Sequence, residues 1–122
     1  MKPLEIPLPL PSLNKTLAMA KSHYAVYARS KRAGTTMVEV LARAGRYPMA
    51  TGPVCLRFDW YPKDRREDLD NVSAAQKCVL DGLVQAGVLP DDSQRWVRGL
   101  DHRLHDPDKA RPRVVVTWEP AI

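Results

Sequence analysis

The stretch Arg65–Asp92, RREDLDNVSAAQKCVLDGLVQAGVLPDD, opens with Glu67, Asp68 and Asp70, continues through an apolar periodicity that carries one lysine, and ends on Asp91 and Asp92. Asp70 or Asn71 offers an N-cap and Gly87 a C-terminal stop, so the spacing predicts an α-helix over 71–86. At about 100° per residue, Val72, Ala75, Val79, Leu83 and Ala86 share one face and should pack on a sheet. Asp70, Ala74, Lys77 and Asp81 share the opposite face, which sets Lys77 two turns above Asp70. Acids therefore stand at both ends of one helical unit. Oxygen ligands gathered this way suit a hard divalent cation, and the basic Lys63, Arg65 and Arg66 in front of them suit a polyanion. Metal beside positive charge points to phosphate chemistry.

Outward from this helix the pattern is one of strands. Val54–Tyr61 alternates Val54, Leu56, Phe58 and Trp60 with Cys55, Arg57, Asp59 and Tyr61, and Pro62 ends it. Leu4–Leu10 reads as a short strand that Pro7 and Pro9 restrict to an edge. Trp96–Leu104 and Arg113–Glu119 read as two more, with the polar turn HDPDKARP between them making a hairpin the simple arrangement. Leu17–Arg46 favours helix, with Met37, Val40, Leu41 and Ala44 as its apolar stripe; Gly34-Thr35-Thr36 weakens the middle, leaving a kink or a late start and one long helix equally open. The expectation is one α/β (α+β) domain spanning residues 1–122, a sheet of about four strands with two main helices packed on one face.

Composition narrows the function. Nineteen basic against fourteen acidic residues give a net charge of +5, a balance compatible with nucleic-acid binding through counterion release and also with plain solubility. The N-terminal residues lack the apolar run of a signal peptide, and no stretch reaches the length of a membrane span, so a soluble cytoplasmic protein is expected. Cys55 and Cys78 lie in apolar segments and read as core. His23, His102 and His105 show no zinc spacing with them.

Each chemical motif also has a plainer reading. Asp68 and Asp70 before a helix suit the helix macrodipole whether or not they bind metal. Asp91 and Asp92 suit a turn. Lys77 can pair with Asp81 at i+4. Arg95, Arg98, Arg103, Lys109, Arg111 and Arg113 serve a DNA-facing surface or solubility.

Taken as a set, PLPSLNK at Pro9–Lys15, DLDN at Asp68–Asn71, Lys77-x3-Asp81 and AGVLPDDSQ from Ala86 resemble the RusA family of Holliday-junction resolvases, in order and spacing across nearly the whole chain. The resemblance implies a small homodimeric endonuclease that depends on Mg²⁺, with Mn²⁺ able to substitute, and nicks opposed strands of a four-way or otherwise branched DNA junction in recombination and repair. It implies Asp68, Asp70 and Asp92 as metal ligands, Lys77 as a catalytic lysine, and Lys15, Lys63, Arg65, Arg66 and Arg98 as DNA contacts. A two-fold dimer with one site per subunit would supply two coordinated nicks, its surface expected on the first helix or on Val54–Tyr61.

Two departures stand out. The interval from DLDN to Lys77 is longer than in the best-known pattern and resembles the phage and Gram-positive branch. Glu67 occupies a position where that pattern has arginine, which leaves either Arg65 or Arg66 to contact DNA in its place or Glu67 as an added acid beside the metal ligands. The reading from a different class is a non-catalytic DNA-binding protein of a phage or mobile element, in which the acids are structural.

Overall fold

The computed structural model describes residues 2–10 and 24–121, with the side chains of 24–28 and 30 left aside. A four-stranded sheet carries helices on one face. The elements run β1 (Leu4–Pro7), α1 (Tyr24–Gly45), β2 (Val54–Tyr61), α2 (Leu69–Ser73), α3 (Gln76–Gln85), β3 (Val97–Leu104) and β4 (Arg113–Pro120).

The predicted α+β class and its four strands are present, but the expected hairpin of the last two strands is not. The sheet order is β1-β4-β2-β3: β3 lies parallel to β2, and β4 lies antiparallel between β2 and β1. Composition explains the choice. Val114, Val115 and Val116 make β4 apolar on both faces, as an internal strand requires, whereas VRGLDHRL suits an edge. A parallel partner needs a crossover of a dozen or more residues, and α2 with α3 supplies it between β2 and β3.

The core lies between sheet and helices. Leu56, Phe58 and Trp60 of β2 are fully buried with Ile6, Val114 and Val116 from the sheet and Val38, Val79 and Leu83 from the helices. The predicted inward face of the 71–86 region holds, with Val72, Ala75, Val79 and Leu83 all buried. Because Val54, Leu56, Phe58 and Trp60 are core, the apolar side of that strand offers no dimer surface. Its other side, Arg57, Asp59 and Tyr61, is polar and faces away from the helices.

One choice left open by the sequence is decided and two further expectations change. α1 runs unbroken through Gly34-Thr35-Thr36, because this part of the helix packs closely on α3: a Cβ built on Gly82 would stand 2.5 Å from Val38 Cβ and 3.0 Å from the Thr35 carbonyl oxygen. The proposed start near Leu17 lies outside the described residues. β1 ends at Pro7 rather than Leu10, since neither Pro7 nor Pro9 can donate to a ladder. The single helix over 71–86 is two segments, broken at Ala74 and Ala75, where Ala75 N–H donates to Val72 O (3.2 Å) and Cys78 N–H to Ala75 O (3.1 Å).

The C-terminal stop is where the sequence places it. Gly87 has φ +77°, Gly87 N–H donates to Val84 O (3.0 Å) and Val88 N–H to Leu83 O (2.9 Å). This is a Schellman cap, and it needs a residue without a Cβ penalty in the left-handed region. The cap turns the chain so that Val88 and Leu89 enter the core and Asp91 and Asp92 emerge beside α3.

Candidate functional site

The acids that open the helical unit sit at its first turn. Asp68 is the N-cap of α2, ahead of the predicted Asp70 or Asn71 by two or three residues, and its carbonyl accepts from Asn71 N–H (3.1 Å) and Val72 N–H (3.0 Å) while its side chain makes no capping bond. Asp70 follows in the first turn. Both carboxylates are exposed on residues with backbone fixed by the short helix. Asn71 beside them is the one polar residue buried among those described.

The acids that close the unit meet Lys77. Its ammonium donates to Asp92 Oδ2 at 2.8 Å and to Asp81 Oδ1 at 3.1 Å. The hydrogen bond it donates to Asp92, then that to Asp81, raise the Lys77 pKa above its ordinary value against the opposing effect of burial. Lys77 in turn holds the Asp92 carboxyl below the usual carboxylate range, outweighing burial. Asp91 fixes the turn, its Oδ1 accepting from Asp92 N–H at 2.8 Å. The i+4 pair with Asp81 and the link to the paired acids thus coexist on one ammonium.

Lys77 is brought to the Asp92 end of the unit, and the printed contacts do not extend to Asp68 or Asp70. Among the described residues, no group of three or more His, Cys, Asp and Glu side chains stands where it could hold a metal ion. The three carboxylates implied as ligands are therefore not gathered into one cluster. Their donor chemistry still suits Mg²⁺, which takes one or two protein carboxylates and keeps several waters.

The basic loop before α2 is exposed. Arg65 Nη2 lies 3.3 Å from Asp106 Oδ1 and Arg66 Nε 3.7 Å from Asp64 Oδ2, pairs largely open to solvent and weak for that reason. A cavity of about 290 Å³ opens between this loop and the core, with Lys63, Arg66 and Glu67 on one side and Leu8, Trp60 and Val72 on the other. Arg98 bonds to the Gln94 carbonyl at 3.3 Å from the start of β3. Lys15 lies outside the described residues.

Two side-chain networks carry no sequence signal. In the first, Trp60 Nε1–H donates to His102 Nδ1 at 2.9 Å, and His102 Nε2 stands 2.6 Å from Gln76 Oε1. Since Nδ1 accepts, the proton is on Nε2 and the ring is neutral. Burial pushes its pKa down, and the ring stacks on Phe58 at 4.7 Å. This network ties β2, β3 and the first residue of α3 together, next to Lys77.

In the second, on the open face of the sheet, Asp59 accepts from Arg57 (3.1 Å) and meets His105 Nε2 at 2.7 Å. Burial alone would raise the Asp59 carboxyl, but Arg57 and His105 hold it below its ordinary value. Tyr61 stacks on His105 at 4.5 Å, and the Arg113 guanidinium lies 4.1 Å from the Tyr61 ring centre. Arg57, Asp59 and Tyr61 are neighbours along one face of β2, but their partners His105 and Arg113, like those of the first network, are distant in sequence and are brought in by the topology.

No family profile and no curated protein matches the chain. Among the described residues no helix is long and apolar enough to cross a membrane.

Proposed function

We propose that this protein is a Mg²⁺-dependent endonuclease of four-way or branched DNA, working as a cytoplasmic homodimer in recombination or repair. The observation that carries the reading is the Lys77–Asp92 bond at 2.8 Å. It joins, across the Gly87 turn, the lysine and the second acid of the motifs whose set resembles the RusA family.

The chain's own residues have definite tasks in such a reaction. Lys63, Arg65 and Arg66, exposed on one loop beside α2, would neutralise the phosphates next to the scissile one. Lys77, kept protonated by Asp92 and Asp81, would offer a fixed positive charge to the developing charge on the phosphate. Asp68, Asp70 and Asp92 are the carboxylates that would hold Mg²⁺, which would supply an activated water and charge neutralisation at a non-bridging oxygen; to share one ion they would have to come together, since among the described residues they form no common cluster. Asp91 orients Asp92 through its bond to the backbone.

The test is cleavage of a labelled synthetic four-way junction against linear duplex, with Mg²⁺ or EDTA, for wild type and Asp70→Asn. Paired nicks that need Mg²⁺ and fall by about 10²-fold or more in the variant are expected, with junction binding retained. Full activity in Asp70→Asn refutes the metal assignment.

One observation favours the second reading, a DNA-binding protein whose acids are structural: Lys77 is already engaged by two carboxylates. That reading predicts equal, metal-independent junction binding by both proteins and no cleavage by either.

A further inference from the structure

β3 has one neighbour. Its β2 side is paired from Val97 to Leu104, and among the described residues no strand lies on its other side. Such an edge presents a row of unpaired N–H and C=O groups, which proteins usually blunt with charged side chains, proline, shortness or bulges; β3 carries Arg98, Asp101 and Arg103, but charges of both signs can pair with a second edge of the same sequence as well as repel one. β3 has eight residues and no proline, and its one irregularity falls at its start, opposite Val54 and Cys55. Two of the large apolar side chains left exposed, Leu100 (41%) and Leu104 (45%), stand on this strand. Four residues apart, they share its helix-side face with His102.

The backbone shows which residues point outward. His105 N–H donates to Trp60 O on the β2 side, and successive residues of a strand alternate in the direction of their backbone groups. Leu100, His102 and Leu104 therefore direct theirs to the free edge. We propose that β3 pairs antiparallel with β3 of a second copy of this chain, about a two-fold axis through His102, so that the two sheets become one.

In that register Leu100 faces Leu104 of the second copy, and the reverse, in hydrogen-bonded pairs. Asp101 faces Arg103 of the second copy in the non-hydrogen-bonded pairs, where side chains approach most closely. The neighbouring registers are disfavoured by charge. Sliding two residues one way sets Asp101 against Asp101 on the axis, and the other way sets Arg103 against Arg103. A slide of one residue puts inward-facing backbone groups opposite outward ones. The exposed leucines and the alternating charges thus select one pairing. It supplies the surface that two coordinated nicks need and rests on the nuclease reading for its use, not for its geometry.

Sedimentation equilibrium of the full chain tests this, on wild type, Leu100→Glu, Leu104→Lys and the double variant Leu100→Glu/Leu104→Lys, with circular dichroism confirming the fold of each. The monomer is 13.7 kDa, and wild type is expected at twice that mass at tens of micromolar. Each single variant sets a charge against leucine twice across the axis and should weaken the dimer about tenfold or more. The double variant restores it, because the introduced carboxylate at position 100 then faces the introduced ammonium at position 104 of the second copy. Should Leu100→Glu fail to fold, Leu104→Lys reads the same contact from its other side.

A monomeric wild type overturns the pairing, as do single variants that dimerise like wild type. Weakened singles without recovery in the double variant overturn the antiparallel register. A dimer that behaves as expected but never cuts a junction refutes the nuclease reading alone.

Discussion

Replacing His102 with alanine removes the link between Trp60 and Gln76. Trp60 is fully buried, so its indole N–H, which donates to His102 Nδ1 at 2.9 Å, has no water to turn to. A buried donor left unsatisfied costs about 1–3 kcal/mol. Loss of the stacking on Phe58 at 4.7 Å adds roughly 0.5–1.5 kcal/mol. Gln76 is less buried and can find solvent, so its lost bond adds little. The sum is about 2–4 kcal/mol, a large share of the ~5–15 kcal/mol that holds a domain folded. Urea unfolding, followed by far-UV circular dichroism at one protein concentration, measures it. The double-mutant cycle with Trp60→Phe isolates the bond: in the phenylalanine background, His102→Ala should cost about 1 kcal/mol less. An identical cost in both backgrounds, or a total under about 0.5 kcal/mol, refutes the assignment of this histidine as the acceptor for Trp60.

The same histidine sets a pH dependence. Burial lowers its folded pKa, so the unfolded chain binds the proton more readily. Its stabilising contribution is complete above the unfolded value of about 6.5 and is lost as pH falls from there through the folded pKa. His102→Gln, which keeps an acceptor and a donor, should flatten that part of the stability curve in urea titrations across this range. Gly82→Ala should lower thermal stability despite alanine's better helix propensity, because its Cβ would meet Val38 Cβ at 2.5 Å; overpacking costs about 1–3 kcal/mol, and an unchanged melting temperature would contradict the close crossing of α1 and α3. Asp92→Asn should change stability by less than about 1 kcal/mol, because the Lys77 pair is half exposed and screened by solvent, yet abolish Mg²⁺-dependent junction nicking in a gel assay. Cleavage at the wild-type rate would remove Asp92 from the site.

Local patterns were legible where the cause is local. The alternation of β2, the inward face of the 71–86 region, the Gly87 cap and the Lys77–Asp81 pair all follow from residues within a few positions of one another. The failures share a different origin. Ala74 and Ala75 are strong helix formers, and nothing nearby announces the break between α2 and α3. Gly34 leaves a kink and one long helix equally open, and the close packing of Val38 and Thr35 on Gly82 goes with the unbroken α1. The hairpin was inferred from adjacency, although the three valines of β4 against the charged β3 already separate an inner strand from an edge.

In the candidate site the two halves fared unequally. The spacing sets Lys77 over Asp70 and beside Asp81; its link to Asp92, fifteen residues on, is made by the Gly87 cap turning the chain back beside α3. Gathering Asp68 and Asp70 with Asp92 depends on how α2 is set against the rest, and the helix break decides that. His102, Gln76 and Trp60 come from three elements, and no spacing rule relates them.

The placement of β4 has a consequence for how the molecule comes together. β1 and β2 share no hydrogen bonds; only β4 joins them, pairing Val116 with both Leu4 and Phe58. The parallel β2 and β3 can associate as soon as α2 and α3 have formed, but β1 must wait for a partner more than a hundred residues along the chain. Closing so long a loop slows the search. During synthesis the N-terminal strand would leave the ribosome long before β4, and the exposed apolar Leu4 and Ile6 would spend that interval without their sheet. The pairing of β4 with β1, the longest-range contact of the sheet, is therefore expected to form late, and pulsed hydrogen exchange on Leu4 to Ile6 would read its order.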